Sequence, residues 1–339
     1  MSDERRVRDI GEFGLIAALH AALPEAARGG GSVDLGIGDD AAVWRPTPGV
    51  PCVVTTDTLV DGVHFRLDWT DWRSLGHKAL AVNLSDCAAM GARPTLATVS
   101  LALTGDERMA DLREMYRGMG ALAAAHGVAI AGGDVVRSPG ALVITVTVIG
   151  ECHDGPPLRR DGARPGDLIA VSGTLGAAAA GLRLLAGEGR ERAAATADLL
   201  VAAHLRPQPR VALGRTLAAH GASAAMDLSD GLSGDLPKLL AASGAGGRVE
   251  LARLPVAASV RTLFPDDWRE LALHGGEDYE LLFTFPPEHL VAIRDAADEV
   301  DATVTVIGRV VAGDAALVAV EPNGREWRVT PGAFDHFGT

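Results

Sequence analysis

Apolar positions along this chain come in short runs, broken by glycine, proline and charge, and their spacing alternates between the period of a helix and that of a strand. Residues 11–27 carry apolar side chains at helical spacing, which predicts a short amphipathic helix. "PCVVTTD" (51–57) reads as a strand, 71–91 as a helix, "TLATVSLAL" (95–103) as a strand and 107–126 as a helix. The Val-, Ile- and Thr-rich stretch 141–149 closes this set as another strand. "CHDGPPLRRDGARPGD" (152–167) is dense in glycine, proline and charge and predicts a domain junction. The pattern then restarts, with a strand at 168–173, a helix at 175–187 and a helical region interrupted by "RPQPR" (206–210). A strand, turn and helix follow over 222–236, then a strand at 278–285, a helix at 287–299 and a strand at 302–310. Two α/β domains result, 1–152 and 153–339; periodicity leaves their strand order open.

A length of 339 residues accommodates two such cores. Apolar residues make up 47% and charged residues 22%, the balance of a folded globular chain rather than a disordered one. The longest strand-like run, 141–150, is about half of what a membrane span needs, so no membrane association is expected. "MSDERRVRDIGEFG" lacks the apolar core of a signal peptide, which points to a cytoplasmic protein. Cys52, Cys87 and Cys152 are widely spaced and odd in number, which suits free thiols rather than a disulfide framework or zinc site. A net charge of −13 argues against a nucleic-acid-binding surface. Of 31 basic residues only Lys78 and Lys238 are lysines, so few ammonium groups are available to neutralise a phosphate.

Against that shortage, aspartates recur beside glycine where strands are predicted to end. "GIGDDAAV" carries Asp39 and Asp40, "TTDTLVDGVHF" Asp57, Asp61 and His64, "NLSDCAAMGARP" Asp86 and "AGGDVVRS" Asp134. "MDLSDGLSGDL" adds Asp227, Asp230 and Asp235, and "HGGEDYELLF" adds Glu277 and Asp278. Glycine allows a close backbone approach to a ligand, and carboxylates are the hard oxygen donors that Mg²⁺ takes. Taken singly, each motif is as readily a turn residue or a helix cap. Six of them in one chain point instead to phosphates bridged by magnesium. Neither a Walker loop nor the protein-kinase motifs are present. The glycine-rich helix start in "SGTLGAAAAGL" (172–182) reads either as an anion site or as close helix–strand packing.

The ordered set "GEFGLI", "GIGDDAAV", "TTDTLVDGVHF", "KALAVNLSDCAAMGARP", "GGDVVRS", "RRDGARPGD", "DLSDGLSGDL", "GGEDYELLFT" and "FDHF" resembles the thiamine-monophosphate kinase family, relatives of aminoimidazole ribonucleotide synthetase, selenophosphate synthetase and the hydrogenase-maturation dehydratase. The resemblance implies a two-domain α/β (α+β) fold like that of aminoimidazole ribonucleotide synthetase. Its N-terminal domain would bind ATP and Mg²⁺ and pair into a dimeric β-barrel, a homodimer, beside a C-terminal α/β domain. It implies ATP-dependent phosphorylation of thiamine monophosphate. Asp40, Thr55, Thr56, Asp57, Asp86 and Asp134 would ligate several Mg²⁺ ions, with Asp227 and Asp230 from the second half; Asp57, Asp86 and Asp230 would be central to catalysis. ATP would meet Gly133, Asp134, Arg160, Ser229 and Tyr116, and the thiamine end His64, Glu277 and Phe334. Selenophosphate synthetases carry a reactive Cys or selenocysteine and a Lys near the N-terminus, and neither precedes Cys52 here. A non-catalytic nucleotide-binding relative would have lost ligand aspartates, and none is missing.

The chemistry agrees with this residue set. A phosphate monoester has a second pKa near 6, so the acceptor is largely ionised at neutral pH and needs little help from a base. Bringing two anions together is the obstacle: at roughly 4 Å and an effective dielectric of about 20, each like-charge pair costs about 4 kcal/mol. Carboxylates that hold magnesium, and magnesium that holds phosphate, remove this cost.

Overall fold

In the computed structural model, residues 5–188, 194–314, 316–330 and 332 are described. The fold divides into two units, one comprising residues up to Cys87 with Arg93–His153, the other Ala88–Ala92 with everything from Asp154 onward.

Helix α1 (Gly11–Ala22) opens the first unit and stops before Pro24, followed by the short hairpin β1 (Val33–Leu35) and β2 (Val43–Trp44). Then come β3 (Cys52–Val60), α2 (Trp72–Ala89), β4 (Arg93–Leu103), α3 (Met109–His126), β5 (Ala129–Arg137) and β6 (Val143–Glu151). The sheet order is β3-β6-β4-β5, antiparallel except for β4 with β5, which α3 joins as a crossover. On β6, Ile144, Val146 and Val148 are buried while Val143, Thr145, Thr147 and Ile149 between them stay half-buried. This alternation gives the sheet one core face and one more open face. Both edge strands, β3 and β5, are nine residues long.

The second unit holds a seven-stranded sheet in the order β13-β12-β9-β11-β7-β10-β8. Its strands are β7 (Leu168–Ser172), β8 (Ala224–Asp227), β9 (Gly246–Glu250), β10 (Leu281–Phe285), β11 (Val304–Val311), β12 (Leu317–Val320) and β13 (Glu326–Arg328). All neighbours are antiparallel except β12 with β9. β7 and β10 are buried along their whole length, which explains sequences that are apolar except for Ser172 and Thr284. Around them lie α4 (Ala177–Leu185), α5 (Ala194–Leu205), α6 (Val211–Ala219), α7 (Leu232–Ser243), α8 (Ala258–Leu263), α9 (Trp268–His274) and α10 (Leu290–Asp298). Leu236, Leu239 and Leu240 of α7 join Ile169, Val171, Met226 and Leu282 in the main core. A second cluster, built on Leu184, Leu200, Leu263 and Leu271, binds α4, α5, α8 and α9 together.

No described helix is long and apolar enough to cross a membrane. Free thiols are present at Cys52, Cys87 and Cys152, the first exposed and the other two buried.

Candidate active site

In the first unit, strand alternation sorts the "TTD" triplet. Thr55 and Asp57 are half-buried and share a face of β3, whereas Val54, Thr56 and Thr58 are exposed. Asp57 pairs in register with Val146 of the core face, which places it on the side of the helices. There it meets Asp86 in the last turn of α2, a helix that starts behind Asp71, whose carboxylate accepts from the Ser74 backbone N–H at 2.8 Å. The Thr55 hydroxyl donates to Asp86 Oδ2. Burial, the charge of Asp86 and a hydrogen bond to it push the Asp57 carboxyl up to about 6. Two carboxylates and a hydroxyl thus converge at one point of the first unit. Thr56 looks the other way, donating to the Val146 carbonyl at 3.2 Å and accepting from Thr147 Oγ1 at 3.0 Å.

Asp134 lies elsewhere. The registers align Asp57, Val146, Val99 and Gly133 in one row across the sheet, so Asp57 and Gly133–Asp134 stand on opposite edges. Three strand spacings separate them, roughly 14 Å along the sheet. Within one chain that is too far for both carboxylates to share a Mg²⁺, whose ligand oxygens sit about 2.1 Å from the ion. Gly133 is required by its neighbour: a Cβ there would lie 1.9 Å from the Val99 carbonyl oxygen. Asp40 is exposed in the loop between β1 and β2, its backbone N–H bonded to Asp39 Oδ1 at 2.8 Å. β1 ties that loop to the sheet through Val33, which packs on Leu96, Ala129 and Ala131. His64 is held by the Val60 N–H, which donates to its Nδ1 at 3.0 Å. Tyr116 is 5% exposed, and burial pushes its phenol far up. Its position is that of a packing residue, and the expected contact with ATP gains no support from it.

In the second unit, β8 ends at buried Asp227, and the turn that follows runs beside the 275–280 loop. Leu228 N–H donates to Glu280 O at 2.8 Å, Tyr279 N–H to Leu228 O at 2.9 Å and Glu277 N–H to Ser229 O at 2.8 Å. A Cβ on Gly276 would lie 2.5 Å from the Ser229 carbonyl, so only glycine permits this approach. Ser229, Asp230 and Glu277 are thereby brought together. Asp230 is paired with Lys238 at 2.5 Å, and Lys238 also reaches fully buried Asp235 at 2.9 Å. Arg160 is exposed, its carbonyl accepting from Ser243 Oγ at 2.8 Å. Phe334 lies outside the described residues.

One expectation changes. Asp57 and Asp134 sit within strands and Asp86 within a helix, rather than at strand ends. Of the two readings left open for the glycine-rich start of α4, the protein's own contacts favour packing: Asp278 accepts from the Gly176 N–H at 2.7 Å and the Ala178 N–H at 3.1 Å. Sequence reasoning also passed over the groups that hold the 275–280 loop, namely His204, Arg210 and Ser172; the "RPQPR" interruption was the available signal.

Among the described residues no group of three or more His, Cys, Asp or Glu side chains forms a ready metal cage. Mg²⁺ is characteristically held by one or two carboxylates together with substrate phosphates, and the mutually repelling Asp57–Asp86 pair with the Thr55 hydroxyl fits such an ion.

Residues 38–152 match the AIR synthase related protein N-terminal domain and residues 164–320 its C-terminal domain. The thiamine-monophosphate kinase of Bacillus subtilis is 39% identical over 82% of this chain and 86% of its own length. The crystal structure of the thiamine-monophosphate kinase from Stenotrophomonas maltophilia superposes with a TM-score of 0.81 at 41% identity, covering 93% of this chain and 98% of that one. AaThiL complexed with AMPPCP and TMP gives a TM-score of 0.76 at 32% identity, covering 99% of this chain and 100% of the other.

Proposed function

The chain belongs to the AIR synthase related family and, within it, to the thiamine-monophosphate kinases, and we propose that it transfers the γ-phosphoryl group of ATP directly to thiamine monophosphate, giving thiamine diphosphate and ADP. The observation that carries the site assignment is the Asp57–Asp86 pair, two carboxyl groups close enough to raise Asp57, with the Thr55 hydroxyl bonded to one of them. An ionised acceptor phosphate attacks without a general base, so these residues have to bind and align rather than move a proton, and no phosphoenzyme forms. Magnesium, when bound, supplies the positive charge that lets two phosphate groups approach.

We assign Asp40, Thr55, Thr56, Asp57, Asp86 and Asp134 as the first unit's metal ligands and Asp227 and Asp230 as the second unit's; Thr56 would act through its main chain, since its hydroxyl faces the other side of β3. Gly133, Asp134, Ser229 and Arg160 are assigned to ATP, and His64, Glu277 and Phe334 to the thiamine end. Residues 1–152 are then the ATP, Mg²⁺ and dimerisation domain, and 153–339 the second α/β domain. A homodimer is favoured by the two long unpaired edges and by Val54 and Val136, 67% and 48% exposed on those edge strands. Joining two such sheets edge to edge would bring Asp134 of one copy beside Asp57 of the other, which resolves their separation within one chain. Free thiols suit the reducing cytoplasm. A coupled ADP-release assay with Mg²⁺ tests the reaction. Release that depends on thiamine monophosphate is expected; release indifferent to it overturns the assignment.

A further inference from the structure

The segment "HLRPQPR" (204–210) ends α5 and precedes α6, and Pro207 and Pro209 fix two of its φ angles between His204 and Arg210. Both ends of this stiff spacer reach the 275–280 loop. Arg210 grips Glu280 with two bonds, Nε to Oε2 at 2.8 Å and Nη2 to Oε1 at 2.6 Å, and Ser172 Oγ adds a third at 2.5 Å. Asp278 is spent on the amides that start α4. The loop between them holds Glu277 at φ 66° and Tyr279 at φ 49°, left-handed conformations costly for such residues and kept only where the surroundings enforce them. Glu277 keeps 27% of its side chain in solvent, and its buried flank is His204, 6% exposed, with Nδ1 3.1 Å from Oε2. The ring is not aligned for a full hydrogen bond, so it restrains the carboxylate by close contact.

We propose that His204 is a positioning residue that fixes the Glu277 carboxylate to receive a substrate ring bearing a permanent positive charge, the thiazolium of thiamine monophosphate. The inference rests on the reading of Glu277 as a residue of the thiamine end. Arg210 grips Glu280 with a two-pronged ion pair, whereas at Glu277 a planar imidazole ring, set by the proline spacer, fixes where the carboxylate oxygens lie. The strained loop and the two-proline spacer then have one purpose, which is to hold a single carboxylate still.

Calorimetric titration of the whole protein with thiamine monophosphate, and with free thiamine, tests this in wild type, His204→Ala, His204→Asn, Glu277→Gln and the His204→Ala/Glu277→Gln double variant. His204→Ala should weaken both ligands by roughly tenfold, since they share the ring, while KM for ATP stays within error of wild type, measured at a temperature where the variant is fully folded. His204→Asn, whose amide can stand in for Nδ1, should recover most of the loss. The double variant should bind no more weakly than Glu277→Gln alone, because His204 acts through Glu277. Losses that multiply in the double variant, or ligand affinity within twofold of wild type in His204→Ala, overturn the proposal. A rise in KM for ATP matching the loss of thiamine affinity also overturns it. Wild-type ADP release without dependence on thiamine monophosphate would instead overturn the assigned reaction.

Discussion

Asp86→Asn isolates the repulsion at the centre of the first unit. Asparagine keeps the shape and the acceptor oxygen that Thr55 uses, but it removes the charge that, after burial, does most to raise Asp57. With a folded-state value of about 6 against an ordinary 3.8, Asp57 binds its proton more tightly in the folded than in the unfolded chain. Its contribution to stability is therefore fully present below pH 3.8 and is lost as pH rises through 6. A shift of that size is worth up to about 3 kcal/mol, and about 2 kcal/mol once partial solvent screening is allowed for. Asp86→Asn should recover part of that amount, so the metal-free variant is expected to be about 1–2 kcal/mol more stable than wild type at pH 7.5 and equal to it near pH 4. Thermal unfolding in EDTA from pH 4 to 8 reads this as a difference in melting temperature that opens between pH 4 and 7, by about 2–4 °C per kcal/mol. Excess Mg²⁺ at pH 7.5 should raise the wild-type melting temperature more than that of the variant. A variant less stable than wild type at pH 7.5, with an unchanged pH profile, would show that the pair is not under electrostatic strain.

Other outcomes follow from the same geometry. Asp278→Ala removes two bonds to the start of α4 and should cost about 2 kcal/mol in urea unfolding at pH 6. Because its surroundings push that carboxyl up to about 7, the cost should shrink as pH rises from 4 through 7, where the wild type loses the benefit of the protonated group. Gly133→Ala sets a methyl 1.9 Å from a carbonyl oxygen and should destabilise by more than about 2 kcal/mol, whereas Gly132→Ala, 3.7 Å from Thr98 Cγ2, should be tolerated under the same denaturation assay. Val54→Asp changes a residue already 67% exposed and should leave the single chain folded by circular dichroism. In sedimentation it should shift the protein toward monomer and lower the rate of ADP release in parallel.

Much of this was legible in the sequence because burial imposes periodicity. β7, β10 and the alternating β6 announce themselves by apolar spacing, and α2 and α3 by their length. β5 did not, since Gly132 and Gly133 interrupt the alternation in "AIAGGDVVR" and the register slips beside Ala131, so the stretch reads as a turn. Short edge strands such as β12 and β13 carry too few residues to establish a period. For the site, the motifs identified which acids mattered, but not their partners. Asp57 and Asp86 meet only because α2 packs across the strand that carries Asp57, and Glu277 meets His204 only after a chain reversal of over seventy residues. Contacts of that kind have no local signature.

Several acids of the glycine-rich motifs differ in what already stands beside them. Asp278 is answered by backbone amides, Glu280 by Arg210 and Ser172, and Asp230 and Asp235 by Lys238. Asp57 and Asp86 face each other, and Asp40 and Asp134 are exposed without an ion pair among the described residues. Lys238, one of the chain's two lysines, is committed to Asp230 and Asp235. A divalent ion reaching Asp57 and Asp86 replaces a repulsion, whereas one reaching Asp230 has to displace or share an existing ammonium contact. Carboxylates of the same kind therefore do not make equal sites. The difference is set by what already stands beside each of them, a like charge at Asp57 and an ammonium at Asp230.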